Sequence, residues 1–245
     1  MQDQYGIIGY PLSHSYSPAF FNKKFEKEGI NAIYTALPIP DIALFLQLLE
    51  DYPRLKGLNV TIPYKQTVMP YLDELNQEAE QVGAVNCIAV KNGKTKGYNT
   101  DVIGFERSLG PLLLPQHTHA LILGTGGASK AVAYVLKQKG ITFKFVSRKP
   151  SVGILAYEDV TPAMLDKYKF IINTTPLGMY IHINECPDLP YEAMGSGHLV
   201  YDLVYNPAET KFLSNAGAAG AITKNGLDML HLQAMAGWEI WNASK

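Results

Sequence analysis

Residues 119–129 read HALILGTGGAS: an apolar run, then glycines at 124, 126 and 127, then the start of a helix that continues as KAVAYVLKQKG to residue 140. Strand, glycine loop and helix in this order form the setting that a dinucleotide-binding turn requires. Gly124 permits the tight turn. Gly126 lets the backbone approach a pyrophosphate lying against the positive end of the helix. The third position of a strict GxGxxG is residue 129, so Gly124, Thr125, Gly126, Gly127, Ala128 and Ser129 make a variant of the motif. By themselves the same residues also describe an ordinary strand-to-helix turn.

The next strand, FKFV (143–146), bears on that choice. It ends in Ser147-Arg148-Lys149, with no Asp or Glu to accept the ribose 2′-hydroxyl of NAD. A guanidinium can clamp a 2′-phosphate through two parallel hydrogen bonds, and Lys149 adds a second charge. A solvated loop would read the same way locally, but behind a glycine loop the pair favours NADP.

Working outward, FIINTT (170–175) and LVYDLV (199–204) are apolar runs of the kind buried on both faces of a parallel sheet, as is the FKFVSRK run. A helix follows around ETKFLSNAG, and a long final helix begins near Leu227. Residues 102–226 are therefore read as a Rossmann-like, doubly wound nucleotide-binding domain. Ahead of it, YGIIG (5–9), AIYTAL (32–37) and GLNVTIP (57–63) read as strands. Ser17 is expected to cap a helix opened by Pro18, with Phe21 and Phe25 on one face. Asp41 is expected to cap another, whose Ile42, Phe45, Leu46 and Leu49 follow helical spacing. Pro63 is expected to open a helix carrying Lys65, and Asn92-Gly93 to turn a hairpin. The fold class is thus α/β: an N-terminal α/β substrate domain over 1–101, to which the helix 227–245 returns, then the nucleotide domain, with a cleft between them.

The 245-residue chain has a formal net charge of -1, so no bulk attraction to nucleic acid or to an anionic membrane is expected. No apolar run approaches the ~18 residues that a membrane span needs. The N-terminus lacks the basic and apolar regions of a secretory signal. Cys87 and Cys186 form no redox or metal motif, no Cys or His pair has zinc-ligand spacing, and no metal is expected. Such cysteine usage suits a reducing compartment, and a cytoplasmic location is expected. Oligomeric state has no signature here.

At the end of the first strand lies PLSHSYSP, placing His14, Ser15, Tyr16 and Ser17 where open α/β sheets bind ligands. The Ser15 and Ser17 hydroxyls can both reach a carboxylate, although locally they also read as a loop residue and a helix cap. Lys65 reads equally as a solvated lysine, and Asp101 as a helix N-cap. The order of segments is more specific. GYPLSHSYSP, NVTIPYK, GAVN, GYNTD, GTGGAS, SRK, NTTPLGM, YDLVYNPAET and NGLDMLHLQA succeed one another from residue 9 to residue 234. In this succession the chain resembles the shikimate dehydrogenase family.

The resemblance implies an NADP-dependent oxidoreductase of aromatic amino acid biosynthesis that interconverts 3-dehydroshikimate and shikimate by hydride transfer. It implies that Ser15 and Ser17 bind the substrate carboxylate with Tyr205 beside them. Thr61, Asn86, Asp101 and Gln233 would hold the ring hydroxyls, and Lys65 with Asp101 would form the acid–base pair. On the cofactor side it implies the 124–129 loop, the Ser147-Arg148-Lys149 corner, and Asn173, Thr174, Leu203 and Gly226 near the ribose or nicotinamide. Elementary chemistry agrees. In the first turn of a helix opened by Pro63, the macrodipole would disfavour an ammonium, while Asp101 would oppose that and direct the amine. The lysine can then pass a proton to or from the C3 oxygen.

Two features depart from the family pattern. Ser147 stands where Asn usually precedes the clamping Arg. Only Ser151 to Leu155 separate SRKP from AYEDV, leaving little room for the usual crossover helix, so a more open adenine side and weaker NADP binding are expected. A quinate or quinate/shikimate dehydrogenase, often NAD-using, is the alternative within the family. Arg148 disfavours it, as does Ser17, where quinate-active relatives often carry Thr. A catalytically silent homologue that binds NADP or a metabolite is the alternative of a different class, and retention of Lys65 and Asp101 speaks against it.

Overall fold

Short apolar runs alternating with helices build two six-stranded sheets. The computed structural model describes residues 2–12 and 15–243. Its chain divides into two units, Met1–Thr100 with Ala234–Lys245, and Asp101–Gln233. The first division therefore falls between Thr100 and Asp101. The second falls inside the final helix, whose first seven residues stay with the second unit instead of returning to the first.

In the first unit, β1 (Asp3–Gly9) lies between β2 (Ala32–Pro38) and β3 (Leu55–Val60), parallel to both. The short β4 (Glu74–Leu75) forms the far edge, and β5 (Cys87–Lys91) and β6 (Lys94–Tyr98) form a hairpin, giving the order β2-β1-β3-β5-β6-β4. Asn92 (φ 53) and Gly93 (φ 77) are both left-handed, as a type I′ turn demands. Strand alternation sends Ile7 and Ile8 to opposite faces. Ile8 packs with Phe45, Leu48, Leu58 and Val60 beneath α2 (Phe45–Asp51). Ile7 shares the other face with Tyr5, Phe21 and Phe25 of α1 (Ser17–Glu28), Tyr34, and Trp241 from the C-terminal helix. The Trp241 indole N–H donates to the Ile88 carbonyl at 2.9 Å.

Three expectations for this unit need correction. Ser17 does not cap α1: Tyr16 holds that position without a side-chain hydrogen bond, and the buried Ser17 begins the helix. Its hydroxyl is bonded to the buried Tyr34 instead. Asp41 does cap its segment, accepting from the Ala43 N–H at 2.9 Å, but Leu46 is 52% exposed and Leu48 is buried in its stead. A 3-10 turn over Ile42–Leu44 precedes α2, and its tighter winding rotates the inward face. The segment bearing Lys65 is a succession of turns from 62 to 68, not a helix. The Lys65 carbonyl accepts the Val85 N–H at 2.6 Å, and the Met69 N–H bonds to Gln66 instead. A tertiary bond thus takes the group that the helical ladder needed, and the helix expected to act on Lys65 does not form. Beyond it, α3 (Gln77–Val82) is capped by Asn76 and ends at the left-handed Gly83.

The second unit opens with α4 (Thr100–Leu109), whose first residue closes the first unit. Its all-parallel sheet contains β7 (His119–Leu123), β8 (Thr142–Val146), β9 (Ile154–Leu155), β10 (Phe170–Asn173), β11 (Leu199–Asp202) and β12 (Ile222–Lys224). The spatial order β9-β8-β7-β10-β11-β12 is that of a doubly wound nucleotide-binding sheet, with the reversal between β7 and β10. Helix α5 (Gly127–Gln138) follows β7, α6 (Pro162–Leu165) precedes β10, α7 (Lys211–Ala218) follows β11, and α8 (Leu227–Asn242) ends the chain. Strands β7, β10 and β11 are buried almost throughout, but β8 leaves Thr142 and Lys144 exposed. The reason is its connection to β9, residues 147–153, which contains no helix to cover that face. Among the described residues no helix is long and apolar enough to cross a membrane.

Candidate functional site

Parallel register brings the C-terminal ends of the nucleotide-type strands level. Leu123 pairs with both Val146 and Asn173, and Asn173 pairs with Asp202. Gly124, Ser147, Thr174 and Leu203 are therefore the first residues off one sheet edge, the edge at which open α/β sheets take ligands.

The glycine loop is built from the backbone outward. Gly124 (φ 106) adopts a conformation that a side chain rarely tolerates, and its N–H donates to the Val146 carbonyl at 2.8 Å. Gly126 is the N-cap of α5, with no side chain satisfying the first-turn amides and no atom within 4 Å of where its Cβ would stand. That open approach to the positive end of a 12-residue helix suits an anionic group such as a pyrophosphate. Ser129 fits at the third motif position because its buried hydroxyl turns back to donate to the Gly126 carbonyl at 2.7 Å. It braces the loop from within. Arg148 and Lys149 are exposed, and among the described residues neither makes an ion pair. The Ser147 hydroxyl accepts the Lys149 N–H at 3.2 Å and shapes the corner. These residues fit a dinucleotide carrying a 2′-phosphate.

The remaining cofactor-side expectations separate. Thr174 is half-buried, its hydroxyl donating to the Leu123 carbonyl at 2.7 Å. Gly226 backs directly onto the Leu203 backbone, where a side chain would collide with the carbonyl, and its N–H donates to Val204. Asn173 is fully buried, and its amide is engaged internally. Its Nδ2 donates to Asp202 and Leu177, and its Oδ1 accepts from the Thr175 N–H and hydroxyl. Its side chain shapes the loop instead of facing it.

On the substrate side, the first unit gathers its groups at one edge. Thr61 follows β3, with its N–H bonded to Ile8, and Tyr10 bonds to Ile62, so the loops after β1 and β3 run together. Tyr64 and Val68 are buried and anchor the turn, leaving Lys65 between them half-buried. Asn86 precedes the antiparallel β5 at the same edge, and its side chain exchanges hydrogen bonds with Thr100, including the Thr100 N–H at 2.6 Å. Ser15 is half-buried, and His14 lies outside the described residues. In the second unit, Asp101 is buried in the first turn of α4, one residue past the start and not at the N-cap. Gly104, one turn further on, brings that face against Met229 and Gln233 of α8. Tyr205 is half-buried beyond β11. Among the described residues no group of three His, Cys, Asp or Glu stands together as a metal site.

A family model described as the shikimate dehydrogenase substrate binding domain matches residues 7–88. The shikimate dehydrogenase (NADP(+)) of Halothermothrix orenii is 39% identical over 263 aligned residues, covering 98% of this chain and 91% of that protein. This chain belongs to the shikimate dehydrogenase family. A solved shikimate 5-dehydrogenase from Thermus thermophilus, in complex with NADP(H) and shikimate, has a TM-score of 0.87 at 31% identity, covering 99% of this chain and 94% of that one. A quinate dehydrogenase from Corynebacterium glutamicum in complex with NAD has a TM-score of 0.86 at 28% identity, with 99% and 94% covered.

For a member of the shikimate dehydrogenase family, several residues behind the site are not evident from motifs. Tyr34 donates to Asn59 at 2.7 Å, and Asn59 donates to the Asn86 carbonyl at 3.3 Å, all buried. With Ser17 at one end and Thr100 at the other, this polar chain underlies the substrate-type residues. Asp202 does the same behind the sheet edge that carries the glycine loop. The available signal was a polar residue at a position that strand periodicity buries.

Proposed function

We propose that this chain interconverts 3-dehydroshikimate and shikimate with NADP as redox partner. The observation that carries the reading is the sheet edge where an open helix N-terminus lies beside the exposed Arg148. Similarity to NADP-dependent shikimate dehydrogenases over nearly the whole chain supports it.

When bound, NADP supplies the ring that takes or gives the hydride. The 124–129 loop is assigned the pyrophosphate, Arg148 and Lys149 the 2′-phosphate, and the backbone around Thr174, Leu203 and Gly226 the ribose and nicotinamide end. Ser15 and Tyr205 are assigned to the substrate carboxylate, and Ser17 joins them by turning its single hydroxyl proton away from Tyr34. Thr61, Asn86 and Gln233 are assigned ring hydroxyls. Lys65 holds or moves the proton at the C3 oxygen. With no helix at Lys65, the turn anchored by Tyr64 and Val68 sets the direction of its side chain. Asp101 is assigned the partner role in that acid–base pair and accepts a hydrogen bond from a substrate hydroxyl. The reaction is assigned to the cytosol, which would keep the free thiols of Cys87 and Cys186 reduced. Absorbance at the nicotinamide band, recorded with shikimate or quinate against NADP or NAD, tests the proposal. Turnover of shikimate with NADP is expected to exceed the other three combinations, and faster turnover of quinate with NAD would overturn it.

A further inference from the structure

Asp202 ends β11 and is fully buried, yet among the described residues its carboxylate is hydrogen-bonded only by donors. Its Oδ1 accepts from Asn173 Nδ2 at 2.9 Å and from the Val204 N–H at 3.0 Å. Its Oδ2 accepts from the Thr210 hydroxyl at 2.6 Å. The three donors come from three segments: the end of β10, the loop leaving β11, and the N-cap of α7. Thr210 also accepts from the Leu213 N–H at 3.3 Å, which leaves its own proton for Asp202.

The consequences spread along the sheet edge. Asn173, held by Asp202, presents its Oδ1 to both the N–H (3.0 Å) and the hydroxyl (2.6 Å) of Thr175. That fixes the turn in which Thr174 reaches back to Leu123 beside Gly124. On the other side, Gly178 (φ 93) packs so closely on Thr210 that a Cβ would lie 3.1 Å from it.

We infer that Asp202 is a positioning residue for the cofactor, setting the loops after β10 and β11 through Asn173 and Thr210 without touching the ligand. The inference rests on the NADP reading above. A carboxylate suits the task because, among the described residues, three donors converge on it and no acceptor does. Asparagine keeps one oxygen for Asn173 and Val204, whereas alanine keeps none.

NADPH affinity by fluorescence titration and shikimate affinity by calorimetry, measured on the full chain, test it. Asp202→Ala is expected to weaken NADPH at least tenfold and shikimate, through the neighbouring Tyr205, by a clearly smaller factor, and Asp202→Asn is expected to recover most of the loss. Should Asp202→Ala fail to fold, Asn173→Ala decides, because it leaves the bonds of Asp202 to Val204 and Thr210 in place. The same NADPH-selective loss is expected there. Equal weakening of both ligands, or unchanged NADPH affinity in Asn173→Ala, overturns the inference. Both measurements are made without turnover, so a parent chain that binds NADPH but does not oxidise shikimate would defeat the proposed function and leave this test standing.

Discussion

The Thr174 hydroxyl lies 2.8 Å from the point where a Cβ on Gly124 would stand. Loop and neighbouring strand are thus interlocked at the centre of the sheet edge, and Gly124 also holds φ 106. Gly124→Ala must bear left-handed strain and a collision together, for a loss of roughly 2 kcal/mol or more. Thermal unfolding should detect the loss, accompanied by weaker NADPH binding. A variant with parental melting and affinity would show that the loop relaxes freely.

Arg148 is exposed and makes no ion pair among the described residues, so its charge is available to a ligand. Arg148→Ala is expected to raise the KM for NADP roughly tenfold or more, the value of a charge-assisted bidentate contact, and to leave the KM for NAD nearly unchanged. Steady-state kinetics with both cofactors provide the check. Equal losses would assign the residue to folding.

Lys65 and Asp101 are expected to work as one catalytic group. Lys65→Ala should lower kcat by ~10²–10⁴-fold, the usual range for general acid–base catalysis. The double variant should cost far less than the product of the single losses. NADPH affinity, titrated in parallel, should stay at the parental value. A Lys65→Ala enzyme within about threefold of the parental kcat would place the proton donor elsewhere.

Stability should also respond to pH through His117. This buried imidazole accepts the Leu114 N–H at Nδ1 (3.0 Å) and faces the Gly197 carbonyl with Nε2 (3.2 Å), so the neutral ring protonated on Nε2 satisfies both. Burial, reinforced by nearby His198 and Lys169, pulls its pKa below 6.5, although the Gly197 carbonyl opposes the shift. The folded state therefore binds the proton less readily than the unfolded chain. The contribution is intact above pH 6.5 and is lost as pH falls below it. Asp202, its pKa pushed up to about 6 by burial, acts in the opposite sense, since the folded state there binds the proton more readily. Melting curves from about pH 8 to 5 should fall less steeply for His117→Gln than for the parent. Parallel curves would remove His117 from the acid response.

Local pattern alone determined a good part of this protein. HALILGTGGAS became strand, loop and helix because burial of the strand and the absence of side chains in the loop are local requirements. Asn92-Gly93 became the hairpin turn for the same reason, since both residues tolerate positive φ. The spacing between Arg148 and AYEDV limited the β8–β9 connection to a helix-free loop. Tertiary structure decided the rest. Pro63 and Lys65 carry a helix-start pattern, yet a bond from the Val85 N–H to the Lys65 carbonyl took the acceptor that a helix would have used. The two-residue β9 and three-residue β12 exist only through pairing with β8 and β11, so no periodicity marks them. Asn173 carries the family motif in sequence, but whether its amide faces a ligand or the interior was set by Asp202, 29 residues away. Hydrogen-bond partners distant in the chain compete for the same donors and acceptors as local structure, and burial decides which of them wins.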